Sequence, residues 1–546
     1  MFRYFFRKVR YTMVKNQKSQ EAGSSAKEAQ GSVRTFNQKL TESLAENLET
    51  LKEAFCNSSD LVVREFSFDH NKVNAAAIYL DDLVDLKMIN DSIMEPLMCR
   101  FHNLDLRLNS EKNDMQTIKK AMVTASNVKD ECVVSSLVQG CLSGDVILLL
   151  DRRDQGLLIT CRGGDKRSVE EPSSESVVRG PREGFTECLR TNISLLRRKI
   201  KNPALNFSMR VVGRKTKTSV CLAYLKGTAN QSLIENVQKR LDKIDTDTIL
   251  ESGYIEQYIE DAPFSIFSTV GHTEKPDVVA AKILEGRVAI LIDGTPFVLT
   301  APFLFLESFQ TAEDYYSRPY FMSMLRLVRY MSFFVTTLAP ALYVAVTTYH
   351  QELLPLELLF TVAAAREGIP FPAVMEAFIM LLAFEILREA GVRLPKPVGQ
   401  AMSIVGALIM GDAAVSAGLI GSPMVVVVAI TAVSTFAVPK QADSAAILRL
   451  VYLMLAGTMG GFGVTIAVLG TLVHLSSLKS FGYAYLSPIV PLQIQDIKDS
   501  LIRAPLWMML TRPHNMANKD QTRQKFFIPP TFDEADNSEK QDDKNE

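Results

Sequence analysis

The sequence is poor in the features that mark an enzyme. Its six His are scattered. No HExxH, GxSxG or Walker loop occurs, and no His/Cys pair stands at metal-ligand spacing. Gly163-Gly164-Asp165-Lys166 lacks the residues that flank a phosphate loop and reads as a turn. A non-enzyme without catalytic residues, metal or cofactor is expected. The seven Cys are odd in number, form no CxxC pair and all precede residue 222. In a chain too long to need disulfide staples they read as reduced thiols packed like small hydrophobes. There is no excess charge, 60 basic against 61 acidic side chains, so no chain-wide cationic footprint for nucleic acid. The apolar fraction, 47%, is too high for a disordered chain, and 28 Gly with 23 Pro excludes collagen-like designs. The start, MFRYFFRKVRYTMVK, is broken by Arg3, Arg7, Lys8 and Arg10 and lacks the uncharged core of a secretory signal. It suits either the surface of an anionic bilayer or a solvated basic start.

Charge is scarce in one region only. Between Met331 and Leu478, 148 residues carry six basic and eight acidic side chains, under half the density of the whole chain. About 20 apolar residues cross a bilayer. Residues 331–349 form one expected pass and 371–387 a second. Residues 401–438 give two, broken at Gly421-Ser422-Pro423, and 450–478 give another. Residues 288–306, split by Asp293-Gly294-Thr295-Pro296, and 353–365 read as re-entrant or interfacial. Arg318, Arg326, Arg329, Arg388, Arg393, Lys396, Lys440 and Arg449 flank the passes consistently with a cytoplasmic N-terminal region. Lys479, Lys498, Arg503 and Arg512 favour the same side for the tail, which requires an even number of crossings.

The preceding region is mixed. Phe36, Leu40, Leu44, Leu48, Leu51 and Phe55 form one apolar helical stripe. Residues 145–161 read as two strands around a polar turn, 185–201 as a helix, 207–212 and 219–225 as paired strands, and 233–244 as a helix. No internal repeat is visible. The fold class is an α+β cytoplasmic region of two subdomains followed by an all-α multi-pass transmembrane bundle of about five to six crossings. The divisions are a basic start and flexible linker (1–35), soluble subdomains 36–165 and 166–282, and a re-entrant or interfacial segment with connector (283–330). The bundle (331–478), a C-terminal cytoplasmic segment (479–513) and a disordered tail (514–546) complete the chain.

Ionisable groups within apolar passes normally face protein or water. Asp412, in GALIMGDAAVSAG near the centre of a pass, reads either as a carboxylate lining an ion path or as a cap or cross-helix hydrogen-bond partner. Gly406, Gly411 and Gly418 around it, and Gly460 and Gly461 later, allow close helix packing. Glu376 and Glu385, 2.5 turns apart, face opposite sides of one helix; Glu376 is placed inside and Glu385 near the headgroups. Glu352 and Glu357 read as an acidic ring at an outer mouth if copies assemble, or as solvated loop charges. Arg179 and Arg182, in RGPREG before a helix, read as an anion-binding or regulatory loop, or as a structural loop.

Several stretches resemble the GerA family of spore germination proteins, specifically A subunits of germinant receptors. These are VVRGPREGFTE (177–187), NISLLRRKI (192–200), VVGRKTKTSV (211–220), ILESGYIEQYIED (249–261) and KPDVVAAKILEGRVAILIDGTPFVLTAP (275–302), with EDYYSRPY (313–320) and the long run 366–439. The likeness spans roughly 140 to 475. It implies a multi-pass subunit of the inner spore membrane, beside a transporter-like B subunit and a C lipoprotein, that forms a homo-oligomeric, germinant-gated channel for monovalent cations. A related sporulation-operon membrane protein of the same family is the second expectation. A transporter with a midplane site and a membrane-anchored scaffold are the competing classes.

Overall fold

The computed structural model describes residues 38–68, 73–81, 83–100, 127–163, 171–172, 174–175, 177–393, 411–513 and 522–524. The expectations for 1–35 and for nearly all of 514–546 lie outside them, as does Gly406.

The first lobe begins with helix α1 (Leu44–Ala54), whose apolar stripe buries Leu44, Leu48 and Leu51. Strands β1 (Leu61–Phe68) and β2 (Val73–Leu80) follow. Then come β3 (Val128–Glu131), α2 (Val134–Leu142), β4 (Asp145–Leu150) and β5 (Gly156–Thr160). The second lobe contains α3 (Leu189–Lys199), β6 (Leu205–Val212), β7 (Thr218–Leu225), α4 (Gln231–Asp242) and α5 (Ser252–Ile259). It continues with β8 (Gly271–Thr273), α6 (Pro276–Leu284), β9 (Val288–Ile292) and β10 (Val298–Ala301).

The two lobes are the same design. The sheets run β1-β2-β4-β5-β3 and β6-β7-β9-β10-β8, antiparallel throughout. Each has a helix before its first strand and another before its fourth. The local hydrogen bonds repeat too. Asn47 and Asn192 each grip, in both directions, the backbone of a Thr six residues earlier, Thr41 and Thr186. The first helical amide, Leu44 or Leu189, donates to the Asp that ends the central strand, Asp151 or Asp293. The residue after that Asp has positive φ in both, Arg152 at 63° and Gly294 at 89°. The duplication is carried by these few positions, which is why the sequence showed no repeat.

Both faces of each sheet are covered, so the central strands are apolar without alternation. This overturns the reading of 288–306 as re-entrant or interfacial. Residues 288–301 are the β9–β10 hairpin, every one of whose strand residues is buried in the second sheet. A buried strand and a short membrane segment both appear as an apolar run. The lobes meet at a buried ion pair: Arg197 of α3 donates to both oxygens of Asp60, at 2.7 and 2.9 Å, and to Ser58 Oγ.

The helical part comprises α7 (Pro319–Thr348), α8 (Leu356–Arg366), α9 (Ala373–Arg393), a helical stretch at 411–416, α10 (Ser422–Phe436) and α11 (Ala442–Ser477). α10 begins at the expected Gly421-Ser422-Pro423 break. After α11, the short strands β11 (Lys479–Ser480) and β12 (Tyr483–Ala484) lead to α12 (Ile494–Ser500).

Candidate functional site

Two helices among the described residues, Pro319–Thr348 and Pro439–Ser477, are long and apolar enough to cross a membrane. The second is not one rod. Gly460 sits at φ 62°, ψ −141°, and the chain reverses there: Tyr452 Oη donates to Thr471 Oγ1 at 2.8 Å, although 19 residues of straight helix would span about 28 Å. Both feet of this helical hairpin stand on one loop of the second lobe. Ser444 donates to the Ile266 carbonyl, 2.5 Å, and His474 Nε2 lies 2.9 Å from Ser265 Oγ. The chain therefore returns to where it left, and Phe481 enters the core of the second lobe. The single pass expected at 450–478 is thus one arm and half of another, and the C-terminal segment packs on the same lobe that the bundle leaves. At the tip, Tyr349 and His350, just past α7, pack against Gly460 and Gly461, and Tyr349 Oη donates to the Gly457 carbonyl at 2.7 Å.

The four described glycines singled out from the sequence differ in their places. A Cβ on Gly411 would lie 3.2 Å from Val425, on Gly460 2.8 Å from Tyr349 and on Gly461 3.0 Å from His350, all close approaches. Gly418 instead is a turn residue, φ 66°, with nothing within 4 Å. Gly457, in the same apolar run as Gly460 and Gly461, lies under Val374.

The carboxylates of the helical bundle separate into two groups. Glu376 is buried; one oxygen accepts from the Gly421 amide at 3.0 Å, capping α10, and the other meets Arg366 at 3.4 Å. Glu385 pairs with Arg449, which is 1% exposed, and with Arg388 at 2.9 Å. Asp412 and Glu357 are exposed on the single chain. Asp412 lies four residues, about 6 Å, before the end of its helical stretch at 416. Glu352 is exposed and lies 3.4 Å from His350. The structure brings Glu352, Glu357, Glu376 and Asp412 to the end of the bundle where α10 starts, without gathering their carboxylates into one cluster.

The opposite end is an electrostatic joint. Asp314, fully buried, receives Arg326 at 2.9 Å and Arg329 at 2.8 Å, and these guanidinium groups hold its carboxyl below the usual carboxylate range despite burial, which acts the other way. Arg326 also donates to the carbonyls of Asp499 and Ser500, so the base of α7 is bound to α12. Arg287 donates to Glu307, beside Lys282. In the loop carrying the hairpin, Ser268 donates to Glu256 at 2.8 Å; burial, reinforced by Glu260 and Glu251 and opposed by that hydrogen bond, pushes the Glu256 carboxyl up to about 7. Arg326 and Arg449 were legible in the sequence only as flanking charges. The signal for the hairpin was GGFG in mid-run, with Arg449 and His474 nearly equidistant from it. Arg179 and Arg182 are exposed; the Val178 and Arg179 amides bind Glu313, and α3 begins seven residues after Arg182 with its first amide already bound by Asp293. The two arginines and a helix N-terminus are not brought together.

A duplicated pair of α/β lobes, tied by buried ion pairs to an apolar helical bundle, defines a two-part protein in which α/β and helical regions share one hydrogen-bonded joint. The chain belongs to the family described as Bacillus/Clostridium GerA spore germination protein, which matches residues 49–515. It is 45% identical over 488 residues to spore germination protein KA of Bacillus subtilis (strain 168), covering 89% of each chain. It is 43% identical over 476 residues to the uncharacterized membrane protein YfkQ of the same organism, covering 87% of this chain and 91% of that protein. The crystal structure of the N-terminal domain of the A subunit of the Bacillus megaterium spore germinant receptor GerK3 is 39% identical, covering 49% of this chain and 98% of that one, with a TM-score of 0.40. The family assigns the chain a role in spore germination.

Proposed function

We propose that the chain is the membrane-embedded A subunit of a spore germinant receptor, non-enzymatic, and that copies of it surround a germinant-gated path for monovalent cations. In this reading the bundle crosses the inner spore membrane six times: α7, α9, the segment ending at 416, α10 and the two arms of α11. Both lobes and residues 479–513 then lie on the core side. A transporter-like B subunit and a C lipoprotein complete the receptor.

One observation carries the cation path. Glu376 and Glu385 are satisfied inside the chain, whereas Asp412 and Glu357 are exposed on a bundle surface whose other exposed residues include Val415, Leu419, Leu356, Leu358 and Phe360. A carboxylate turned toward hydrocarbon costs several kcal/mol, so these side chains face water or a neighbouring copy, and an acidic lining favours cations. Asp412→Asn is expected to slow germinant-triggered potassium release from spores at unchanged subunit abundance. Wild-type release kinetics in that variant would remove Asp412 from the path.

A further inference from the structure

The joint between the second lobe and the bundle encloses a cavity of about 380 Å³, within the size range of small-molecule sites. Five separate parts of the chain wall it: Ser174, Glu175 and Val177, then α6 with Arg287, the connector 307–316, the turn Pro439-Lys440 that enters the hairpin, and C-terminal residues Leu506 and Arg523. Its charges balance, with Lys275, Lys282, Arg287, Lys440 and Arg523 against Glu175, Asp277, Glu285, Glu307 and Glu313.

Arg287 donates directly to one oxygen of Glu307, but the other opposite charges stand apart. Lys275 stands 3.9 Å from Asp277, Lys282 3.7 Å from Glu307, Arg287 Nε 3.7 Å from Glu285 and Lys440 3.6 Å from Glu175. All exceed hydrogen-bond length, and contacts of this span are ordinarily bridged. Among the described residues, three polar atoms of the lining are buried without a hydrogen-bond partner: Asp277 Oδ1, Glu307 Oε1 and Arg287 Nε. Buried groups of this kind are normally satisfied. Two lone acceptors and one lone donor, in a wall of zero net formal charge, call for a neutral guest bearing both a cationic donor and an anionic acceptor.

We propose that this cavity binds a small zwitterion, its ammonium group taken by Asp277 and Glu307 and its carboxylate by Arg287 with the neighbouring lysines. Because the walls come from the lobe, the connector, the hairpin entrance and the C-terminal segment, an occupied site holds those four together. The inference is independent of the channel reading: it concerns a site in the joint and holds whether or not the bundle conducts.

The test uses the full chain in detergent and a calorimetric titration with glycine, β-alanine and γ-aminobutyrate, against propionate and butylamine as single-charge controls. Saturable binding of at least one zwitterion is expected, with both controls weaker by tenfold or more. Asp277→Asn, which keeps the shape and the contact with Tyr316, is expected to weaken it by at least about tenfold, as loss of one charge-assisted hydrogen bond predicts. Glu307→Gln provides an independent second variant. Overturning results are no binding by any zwitterion, which leaves a water-filled cavity, equal binding of propionate, which makes it an anion site, or zwitterion binding unchanged in both variants, which places the guest elsewhere.

Discussion

Replacing Gly460 by Ala tests the helical hairpin directly. At φ 62°, ψ −141° the backbone is in a region that residues with a Cβ avoid, at a cost of about 1–3 kcal/mol. The new methyl would sit 2.8 Å from both Cβ and Cγ of Tyr349, and overpacking of that kind adds about 1–3 kcal/mol. The expected loss is therefore about 2–6 kcal/mol. Gly470 is an internal control on the returning arm: beyond its chain neighbours and its own helix backbone, nothing among the described residues lies within 4 Å of its added Cβ, so Gly470→Ala is expected to be neutral or to stabilise by about 0.5–1 kcal/mol. The assay is thermal unfolding of the solubilised full chain, paired with the amount of subunit recovered in membranes. In a Tyr349→Ala background the clash with Cγ disappears while that with Cβ remains, so the penalty of Gly460→Ala should shrink in part. Equal stability of the Gly460→Ala and Gly470→Ala proteins would refute the turn and restore a continuous helix.

Three further outcomes follow from buried charges. Arg197→Met leaves Asp60 buried without its cation between the lobes, an expected loss of about 3–5 kcal/mol in unfolding free energy; a loss under about 1 kcal/mol contradicts the buried pairing. Glu385→Gln leaves Arg449 buried with no carboxylate, so the single variant should be less stable than Glu385→Gln combined with Arg449→Met, and the reverse order in the same melts would show that the pair is not the relevant unit. The Glu256 carboxyl rises from 4.5 to about 7 in the folded chain. The folded state then holds a proton that the unfolded state releases, so this group lowers stability as pH climbs from about 4.5 to about 7 and costs about 3 kcal/mol above that window. Glu256→Gln should flatten that part of the melting-temperature profile, and an unchanged slope excludes Glu256 as its source.

Local periodicity carried much of the soluble fold. The stripe through Leu40, Leu44, Leu48, Leu51 and Phe55 is buried as its spacing requires. The strand pairs at 145–161 and 205–225 and the helices at 189–199 and 231–242 fall within a few residues of expectation. Pattern failed where burial hides it. β9 is apolar on both faces and resembles a membrane segment. The first arm of α11 holds Asp443 and Arg449, which broke the apolar count, although Arg449 is neutralised by Glu385 on a neighbouring helix. That partner is 64 residues away and invisible to any window. The glycines around Asp412 were visible, but glycine at a close approach and glycine at a turn look alike in sequence; only φ separates Gly418 from Gly411. Helical geometry separates Glu376 from Glu385, while the contact of Glu376 with the Gly421 amide depends on the tertiary arrangement of two helices.

The placement of both hairpin feet on residues 265–268 has a mechanical corollary. A helix pair planted on separate supports can be sheared, one leg sliding past the other. This pair shares a single pedestal, so a tilt of that loop swings both legs as one stiff arm, and the largest excursion appears at the tip beside Tyr349 and His350. A displacement of a fraction of an ångström at the lobe would thereby be delivered, enlarged, to the end of the bundle that carries Glu352 and α8. The amplification comes from the arm's length of about 27 Å, without any rearrangement inside the arm itself.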